Sequence, residues 1–409
     1  MAKAVSELNA SHIEELAKSF GEALRETPLI RSQSLEKRVQ SKQALFLKAE
    51  NLQFTGSFKA RGALAKILEI LKEAKEKGVI TASAGNHAQG LAFHASRLGV
   101  SAKIVMPIGT PIVKMRATKQ WGPEIILFGE SYQEAYEEAT RLAKESGRAY
   151  VHAFDDWTVM AGQGTIGVEI LRQCPDVSSV FLPVGGGGLL AGVGSYLKAK
   201  NPKIKLIAVQ AEGCSSLIPS LKKGSPVSLD KVNTIAEGMA VKRMGEKSFS
   251  ICQSLVDETV IVSDEEISDA LLWILENERL FVEGCGGATV AAAMKRSDLI
   301  SGSSVILLSG GNLDVDLLAR IIERGLAKQG RRTQFEVVIP DSPGSLEALL
   351  HVIAQEQASI LQVHHERVFT KTALREVVTH IEIETSGLEH LQRVKASLEK
   401  TSWPVRFLP

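Results

Sequence analysis

A single lysine opens a predicted helix directly after a glycine turn. The segment Thr55-Gly-Ser-Phe-Lys places Lys59 at the start of that helix. The positive end of a helix dipole makes an ammonium group easier to deprotonate, and a neutral amine can form a Schiff base with a carbonyl compound. Most isolated helical lysines are simply solvated, however. Lys59 alone therefore leaves both interpretations open.

A polar turn follows the next predicted strand. It contains Ser83, Gly85, Asn86 and His87 and leads into a helix. The backbone N–H groups, hydroxyl and amide of such a turn can bind a carboxylate or a phenolic oxygen. Ser83 or Asn86 could equally cap the helix, and His87 could be a packed histidine with no part in proton transfer.

Four consecutive glycines, Gly185, Gly186, Gly187 and Gly188, separate another predicted strand from a helix. Glycines allow several backbone N–H groups to converge on a phosphate at a helix N-terminus. A flexible linker is the plain alternative, but linkers rarely stand between a buried strand and a helix. The run therefore favours phosphate binding.

The same run is compatible with a dinucleotide site. Gly186, Gly188 and Ala191 satisfy a relaxed Gly-x-Gly-x-x-Ala pattern, and Glu212 at the end of the next strand stands where a ribose-binding acid is expected. From this segment alone, an NAD-dependent dehydrogenase is an open alternative. The run is not followed by Gly-Lys-Ser/Thr, so it gives no support for a nucleotide-triphosphate P-loop.

A further glycine turn, Ser309-Gly-Gly-Asn, follows the last strongly apolar strand. A neutral hydroxyl at Ser309 could donate a hydrogen bond to a ring nitrogen, or it could cap a helix.

These turns need a scaffold, and the chain from about residue 45 to 320 alternates short apolar runs with longer helical ones. Such alternation is typical of parallel βαβ units, in which ligands bind beyond the carboxyl ends of the strands. The predicted strands are Ala44–Lys48, Gly78–Ala82, Ala102–Met106, Glu124–Phe128, Ser179–Pro183, Lys205–Gln210 and Ser304–Leu308.

The pattern changes near residue 325. We predict a linker at 326–333 and a small β-α-β-β-α-β unit at 334–409. Its first helix is expected at 343–356, with Pro343 in the first turn and Asp341 or Ser342 as the cap.

Composition limits the class of protein. A chain of 409 residues should form more than one folding unit, and a net charge of +1 favours a small-molecule partner over nucleic acid or a membrane surface. The four cysteines form no C-x-x-C pair, and no apolar run is long enough to cross a bilayer. We therefore expect a cytoplasmic protein.

Taken together and in this order, the four motifs resemble those of the fold-type II pyridoxal-phosphate enzymes, most closely the threonine ammonia-lyases. The resemblance runs from about Thr27 to Asp314 and includes Thr110-Pro-Ile-Val-Lys and the segment that begins at His152. It implies a two-domain α/β fold with parallel sheets, similar to the tryptophan synthase β subunit. The catalytic region would be 1–325, with a smaller subdomain at about 60–155.

The resemblance also implies roles for the motif residues. Lys59 would hold pyridoxal 5'-phosphate as a Schiff base and act as the catalytic base, and Phe58 would pack beside the ring. Asn86 would bond the phenolic oxygen, and Ser309 would face the pyridine nitrogen. Ser83, as a second catalytic residue, would hold the substrate carboxylate together with the turn amides of Gly85, Asn86 and His87, and the cofactor phosphate would lie on Gly185, Gly186, Gly187 and Gly188.

The implied reaction is dehydration and deamination of L-threonine to 2-oxobutanoate and ammonia, with L-serine as a second substrate. Ala84 stands where related serine racemases have a second serine, so racemisation should be weak. Ile218 replaces an acid of the family's divalent-metal site, so we expect no metal there. A serine dehydratase, a racemase-like enzyme and a non-catalytic amino-acid-binding regulator are the alternatives.

Residues 334–409 resemble an ACT domain, a ferredoxin-like regulatory unit. The resemblance implies that Asp341, Gly344 and Leu346 bind an amino-acid effector, such as isoleucine or valine, between paired domains of a homodimer or homotetramer. A unit that only makes oligomer contacts is the alternative.

Overall fold

The computed structural model describes residues 8–408, and the chain divides after Asp314 into two compact units. The first seven residues of the predicted catalytic region and Pro409 lie outside the described part. Each unit has its own hydrophobic core. Within residues 8–408, no helix has the length and apolar character needed to cross a membrane.

The larger sheet of the first unit contains six strands: β1 (Leu29–Arg31), β2 (Leu45–Ala49), β7 (Ser179–Pro183), β8 (Lys205–Ala211), β9 (Glu258–Val262) and β10 (Ser304–Leu308). Their order across the sheet is β1-β2-β10-β7-β8-β9. Every neighbouring pair is parallel except β1 and β2 at one edge. Strands β7 and β10 are buried at every position, which explains their unbroken apolar sequences.

The smaller sheet contains four strands: β3 (Val79–Ala82), β4 (Ala102–Met106), β5 (Glu124–Leu127) and β6 (Ala149–Tyr150). It is wholly parallel, in the order β5-β4-β3-β6. All four of its strands lie between β2 and β7 in the sequence, so this sheet is an insertion between two strands of the larger sheet. The range predicted for the smaller subdomain, 60–155, includes all four strands.

Helices connect the strands of both sheets, and polar caps start several of them. Ser131 and Asp156 each accept a hydrogen bond from a backbone N–H in the first turn, and Ser263 forms a capping box with Glu266. The helices of this unit are α1 (Ala10–Phe20), α2 (Gln33–Arg38), α3 (Lys59–Glu69), α4 (Leu71–Lys77), α5 (Asn86–Arg97), α6 (Ile112–Lys119), α7 (Tyr132–Ser146), α8 (Trp157–Gln173), α9 (Gly188–Lys200), α10 (Leu217–Lys223), α11 (Glu246–Leu255), α12 (Asp264–Asn277) and α13 (Gly284–Lys295). Short 3₁₀ turns cover Gly21–Ala23, Glu50–Leu52, Glu212–Cys214, Glu237–Met239 and Ser297–Leu299.

The second unit is a four-stranded antiparallel sheet with helices packed on it. Its elements are α14 (Val315–Lys328), β11 (Arg332–Pro340), α15 (Ser345–Gln355), β12 (Ser359–Glu366), β13 (Glu376–Glu384), α16 (Leu388–Glu399) and β14 (Val405–Phe407). The strand order β12-β13-β11-β14 is that of a ferredoxin-like β-α-β-β-α-β unit. Alternate residues of the strands, such as Phe335 and Ile381, form a core with Leu349 and Val394 of the helices.

Two features of this unit differ from the sequence-based expectation. Most of the predicted linker at 326–333 belongs to the end of α14 and the start of β11, because the amphipathic helical pattern continues to Lys328. In addition, α15 begins at Ser345 with Gly344 as its N-cap, and Asp341 pairs with Arg367 instead of capping the helix.

Candidate active site

Three of the sequence motifs follow neighbouring strands of the larger sheet. Strands β2, β10 and β7 are adjacent and parallel, so their carboxyl ends share one edge. The segment leading to Lys59 follows β2, Ser309 follows β10, and the glycine run follows β7. This edge is where ligands bind in open parallel sheets.

Backbone contacts fix the start of α3 beside the Ser309 turn. An isolated antiparallel bridge joins Ser57 to Gly310, and the Phe58 N–H donates to the Ser309 carbonyl oxygen at 3.1 Å. The lysine and serine motifs, which are about 250 residues apart in the chain, are therefore held together by main-chain bonds that do not depend on their side chains.

The Lys59 amine lies in a poorly hydrated pocket. Its Nζ donates to the Ala153 carbonyl oxygen at 2.7 Å and lies 5.2 Å from the centroid of the Phe58 ring. Loss of hydration lowers the pKa of Lys59 to about 8, and the nearby groups Cys285 and Glu283 only partly oppose this effect. An appreciable fraction of the amine is therefore neutral near physiological pH.

This lowered pKa predicts a distinct pH dependence for Lys59. Only the neutral amine reacts with an acylating reagent, so the labelling rate of Lys59 should rise about tenfold per pH unit below its pKa and level off above about pH 8. Competitive labelling followed by peptide mass spectrometry measures this rate, with the exposed Lys75 as the comparison. A Lys59 profile that still rises steeply at pH 10 would contradict the assigned environment.

Asn86 is held in one orientation by partners on both sides of its amide. Its Oδ1 accepts a hydrogen bond from Asn312 Nδ2 at 2.8 Å, and its Nδ2 donates to Glu283 Oε2 at 2.8 Å and to Oε1 at 3.1 Å. Asn312 Nδ2 also donates to the Thr55 carbonyl oxygen at 2.9 Å. The first helical residue of α5 is thus tied to the turn that contains Ser309.

Glu283 is a site residue that the sequence reasoning missed. It is 8% exposed, and the Ser309 hydroxyl donates to its Oε1 across 3.5 Å. Burial raises the pKa of its carboxyl. The available signal was an acid directly before Gly284 and its glycine-rich helix, in a segment that is otherwise apolar.

The remaining residues of the polar turn lie at the carboxyl end of β3. The Gly85 N–H donates to Ser83 Oγ at 3.3 Å, and a side chain at Gly85 would meet open space. His87 Nε2 faces the Val151 carbonyl oxygen at 3.1 Å, so this nitrogen carries the hydrogen. Burial, with a contribution from the Lys59 charge, lowers the pKa of His87 to about 3, so the imidazole is neutral at physiological pH.

The glycine run is tightly packed on one side. A Cβ at Gly186 would lie 2.4 Å from the Phe154 ring, and one at Gly188 would lie 2.5 Å from the Phe154 carbonyl oxygen. Gly187 has a φ of +93°, a conformation that favours glycine. These positions therefore require glycine for steric and backbone reasons.

The N–H groups of this run are available to a ligand. The Gly186 carbonyl oxygen accepts hydrogen bonds from Ser248 Oγ at 2.6 Å and from the Gly245 N–H at 3.2 Å. Among the hydrogen bonds of residues 8–408, none uses the N–H of Gly185, Gly186 or Gly187 as donor. Unpaired donors at the start of α9 suit a phosphate.

The arrangement fits a cofactor that carries an aldehyde, a phosphate and a phenolic oxygen. Lys59 offers a partly neutral amine, the glycine run offers unpaired N–H donors, and Asn86 and Ser309 offer polar groups that both contact the Glu283 carboxyl. Residues 8–408 contain no cluster of three or more His, Cys, Asp or Glu side chains placed to bind a metal ion. Glu212 lies in a 3₁₀ turn after β8.

A buried network of charges anchors α3 behind Lys59. Arg61 is 1% exposed and pairs with Glu50 at 2.8 Å and with Glu169 at 2.6 Å, while Lys48 also pairs with Glu169 at 2.5 Å. Burial alone would lower the pKa of Arg61, but the two glutamates raise it, so the guanidinium stays charged. The network joins β2, α3 and α8.

Known proteins are similar to this chain over most of its length. A family model described as pyridoxal-phosphate dependent enzyme matches residues 21–310. The chain is 42% identical over 398 residues to the L-threonine ammonia-lyase of Geobacter sulfurreducens, covering 97% of this chain and 98% of that protein. The solved structure of the processed form of threonine deaminase isoform 2 from Solanum lycopersicum matches with a TM-score of 0.70 and 40% identity, covering 73% of this chain and 83% of that one. Maize serine racemase matches with a TM-score of 0.73 and 31% identity, covering 79% and 99%.

The matched region contains Lys59, Asn86, the glycine run and Ser309. The family model and the relatives are named for pyridoxal-phosphate and threonine enzymes, so the comparisons give no support to the dehydrogenase alternative. The chain belongs to the family of pyridoxal-phosphate dependent enzymes.

Proposed function

We propose that this protein is an L-threonine ammonia-lyase, which converts L-threonine to 2-oxobutanoate and ammonia with pyridoxal 5'-phosphate as its cofactor. The observation that carries the proposal is the partly neutral Lys59 amine beside the Ser309 turn and the Asn86 amide. The full-length similarity to a protein named L-threonine ammonia-lyase supports the choice of substrate. L-serine, which is one methyl group smaller, is expected to react as well, because one methyl changes binding by only about 1–3 kcal/mol.

Each motif then receives a role in holding the cofactor. Lys59 would bind its aldehyde carbon, and Phe58 would pack beside the ring. Asn86 would donate to the phenolic oxygen, and Ser309 would face the ring nitrogen. The N–H groups of Gly185, Gly186, Gly187 and Gly188 would hold the phosphate.

The substrate would lie on the turn after β3. Ser83 and the N–H groups from Gly85 to His87 bind its carboxylate, because they form a polar, glycine-containing helix start beside Asn86. His87 is uncharged, so it contributes shape and its backbone N–H rather than a proton.

Lys59 has a second task as the general base. With the substrate bound, its free amine would remove the Cα proton, and a pKa of about 8 suits proton transfer near neutral pH. The cofactor supplies an electron-withdrawing ring that stabilises negative charge at Cα. Ser309 is a neutral hydroxyl, so it can donate a hydrogen bond to the ring nitrogen but cannot protonate it. An unprotonated ring would favour loss of the β-hydroxyl over return of the proton to Cα.

A racemase-like activity is the second candidate, favoured by the match to maize serine racemase. Racemisation needs a proton donor on the opposite face of Cα from Lys59. Ala84 stands at the position where the family resemblance calls for a second serine, and its methyl group carries no exchangeable proton. We therefore expect elimination to dominate.

The test is a product assay on cofactor-loaded protein. With L-threonine we expect stoichiometric 2-oxobutanoate and ammonia, and with L-serine we expect pyruvate together with little D-serine. D-serine formed faster than pyruvate would favour the racemase, and NAD reduction would favour a dehydrogenase. Loaded protein that releases no oxoacid from either substrate would leave the amino-acid-binding regulator as the better account.

The second unit is proposed to be an ACT domain that binds an amino-acid effector. A cavity of about 330 Å³ is lined by Asp341, Leu346, His365 and Arg367, among others. Asp341 and Arg367 pair across 2.9 Å and offer both charges that an amino acid requires, and His365 Nε2 is buried without a hydrogen-bond partner. We propose feedback regulation by isoleucine or valine, acting on a homodimer or homotetramer. A cytoplasmic location also remains a prediction.

Gly344 provides a direct test of this effector site. It has a φ of +89° at the start of α15, and a Cβ placed there would have no neighbouring atom within 4 Å. We expect Gly344→Val to weaken inhibition by isoleucine or valine at least about tenfold, because the side chain blocks approach to the backbone, while activity without effector is unchanged. Inhibition curves measure the effect.

The control for Gly344→Val is Gly224→Val in the first unit. Gly224 has a φ of +74° and equally open surroundings, so it carries the same backbone strain. Equal inhibition curves for wild type and both variants would show that this loop has no part in effector binding.

A further inference from the structure

The fold fixes Glu283 in place before any ligand binds. Its N–H donates to the Gly310 carbonyl oxygen at 2.8 Å, and its own carbonyl oxygen accepts from the N–H groups of Gly286 and Gly287, both at 3.0 Å. One contact ties it to the Ser309 turn and the others tie it to the first turn of α13. The position of the carboxyl is therefore set by two secondary-structure elements.

The carboxyl is buried without a directly paired cation. Among residues 8–408 it forms no ion pair, and its polar contacts are with the Asn86 amide and the Ser309 hydroxyl. Lys59, Glu237 and Cys285 are the titratable groups that influence it or are influenced by it, and of these only Lys59 carries a positive charge. A buried acid without a paired cation is costly, so a specific hydrogen-bonding task is the natural reason for it.

Both partners of this carboxyl are residues assigned to the cofactor ring. The Asn86 amide nitrogen carries two hydrogens, and the carboxyl can be satisfied by one of them, which leaves the second for a phenolic oxygen. Asn312 fixes the other end of the amide. The orientation of Asn86 thus depends on Glu283 at one end and on Asn312 at the other.

The contact with Ser309 has a related consequence. Burial raises the pKa of Glu283, which favours the protonated carboxyl. The Ser309 hydroxyl donates to Glu283 Oε1 in this structure; were the carboxyl protonated, it could donate to Ser309 Oγ instead, and the hydroxyl hydrogen would then be available to a ring nitrogen. One side chain can therefore prepare both polar groups for the same ring.

We propose that Glu283 is a positioning residue for the cofactor, which orients the Asn86 amide and the Ser309 hydroxyl towards the ring. The proposal rests on the proposed function of these two residues. Glu283 would act through them.

Binding of pyridoxal 5'-phosphate to the full-length apoprotein tests this role without relying on catalysis. We expect Glu283→Ala to raise the dissociation constant about tenfold or more, because the buried Asn86 amide loses its acceptor. Glu283→Gln, which keeps the length and the acceptor oxygen, should restore affinity to within about threefold of wild type. Glu278→Ala is the matched control, since Glu278 also accepts from two side chains, the hydroxyls of Ser32 and Ser34, and its loss should leave affinity unchanged.

A double-mutant cycle with Asn86→Ala identifies the route of the effect. If Glu283 acts through Asn86, Glu283→Ala should weaken cofactor binding by less than about threefold further in the Asn86→Ala background. The proposal would be overturned if the two substitutions raised the dissociation constant independently, so that their fold-changes multiply in the double variant. It would also be overturned if Glu283→Ala bound the cofactor with wild-type affinity. Should the alanine variant fail to fold, Glu283→Asp serves instead: the shortened side chain should also lose about tenfold, whereas a role for charge alone predicts no change.

This result is separable from the proposed function. Wild-type protein that binds the cofactor but yields no oxoacid would refute the threonine reaction and leave the Glu283 measurements valid. Loss of the Glu283 effect in an active enzyme would refute only the positioning role.

Discussion

Replacing Lys59 with alanine is expected to reduce the rate of 2-oxobutanoate formation by at least about 10⁴-fold. The amine both holds the cofactor and removes the Cα proton in the proposed reaction, and loss of a general base alone costs up to about 10⁴-fold. No second amine replaces it at the Phe58 ring among the described residues. Single-turnover formation of 2-oxobutanoate with saturating cofactor gives the most direct measure.

Lys75→Ala controls for the general effect of removing a lysine. Lys75 is exposed on α4, and its variant should keep wild-type activity. The melting temperature of apo Lys59→Ala should equal or exceed that of the wild type, because the substitution removes a desolvated cation. Near-wild-type turnover in Lys59→Ala would disprove its catalytic role.

The second large effect concerns stability rather than chemistry. Arg61→Met should destabilise the first unit by about 3–5 kcal/mol, because Glu50 and Glu169 would remain buried with insufficient compensation. For a unit of this size the loss corresponds to a fall of about 5–8 °C in melting temperature. Calorimetry of the full chain measures it on the transition assigned to the first unit.

Arg141→Met is the matched control, since Arg141 also pairs with two glutamates, Glu138 and Glu145, but on an exposed helix surface. Solvent screening leaves such pairs with little net effect on stability, so the melting temperature of the Arg141→Met variant should change by only about 1–2 °C. Similar losses in the two variants would mean that burial does not govern the Arg61 network. Arg61→Met combined with Glu169→Gln and Glu50→Gln should recover part of the stability.

The sequence was most informative where burial is complete. The fully buried strands β7 and β10, and the mostly buried β4, have the predicted bounds, because their apolar runs end at polar or glycine residues or at proline. Strands β1, β6 and β9 were not predicted, since they are short or only partly buried. The order of helices and strands along the chain in the second unit also matches the predicted β-α-β-β-α-β pattern.

The boundary between the two units illustrates what local composition misses. The basic, glycine-containing stretch near Arg331 suggests a linker, yet the periodic apolar positions of α14 continue to Lys328. Its contacts place α14 in the second unit. Local composition cannot predict contacts between segments that are distant in the sequence.

The candidate site shows the same limit at the level of single residues. Lys59, Asn86 and Ser309 were identifiable because each stands in a distinctive glycine-containing motif. Glu283 was not, because its importance comes from a contact across 197 residues with Asn86. The lowered pKa of Lys59 likewise depends on packing against distant segments, including the Ala153 carbonyl.

The most direct test of the account is to locate the cofactor on the chain. Purified protein loaded with pyridoxal 5'-phosphate is reduced with borohydride in the presence and absence of L-threonine, digested and mapped by mass spectrometry. We predict a pyridoxyl group on Lys59 without substrate, and its loss from Lys59 together with 2-oxobutanoate formation when L-threonine is added first. A modified lysine elsewhere, or an adduct on Lys59 that L-threonine does not displace, would contradict the proposed site and its reaction.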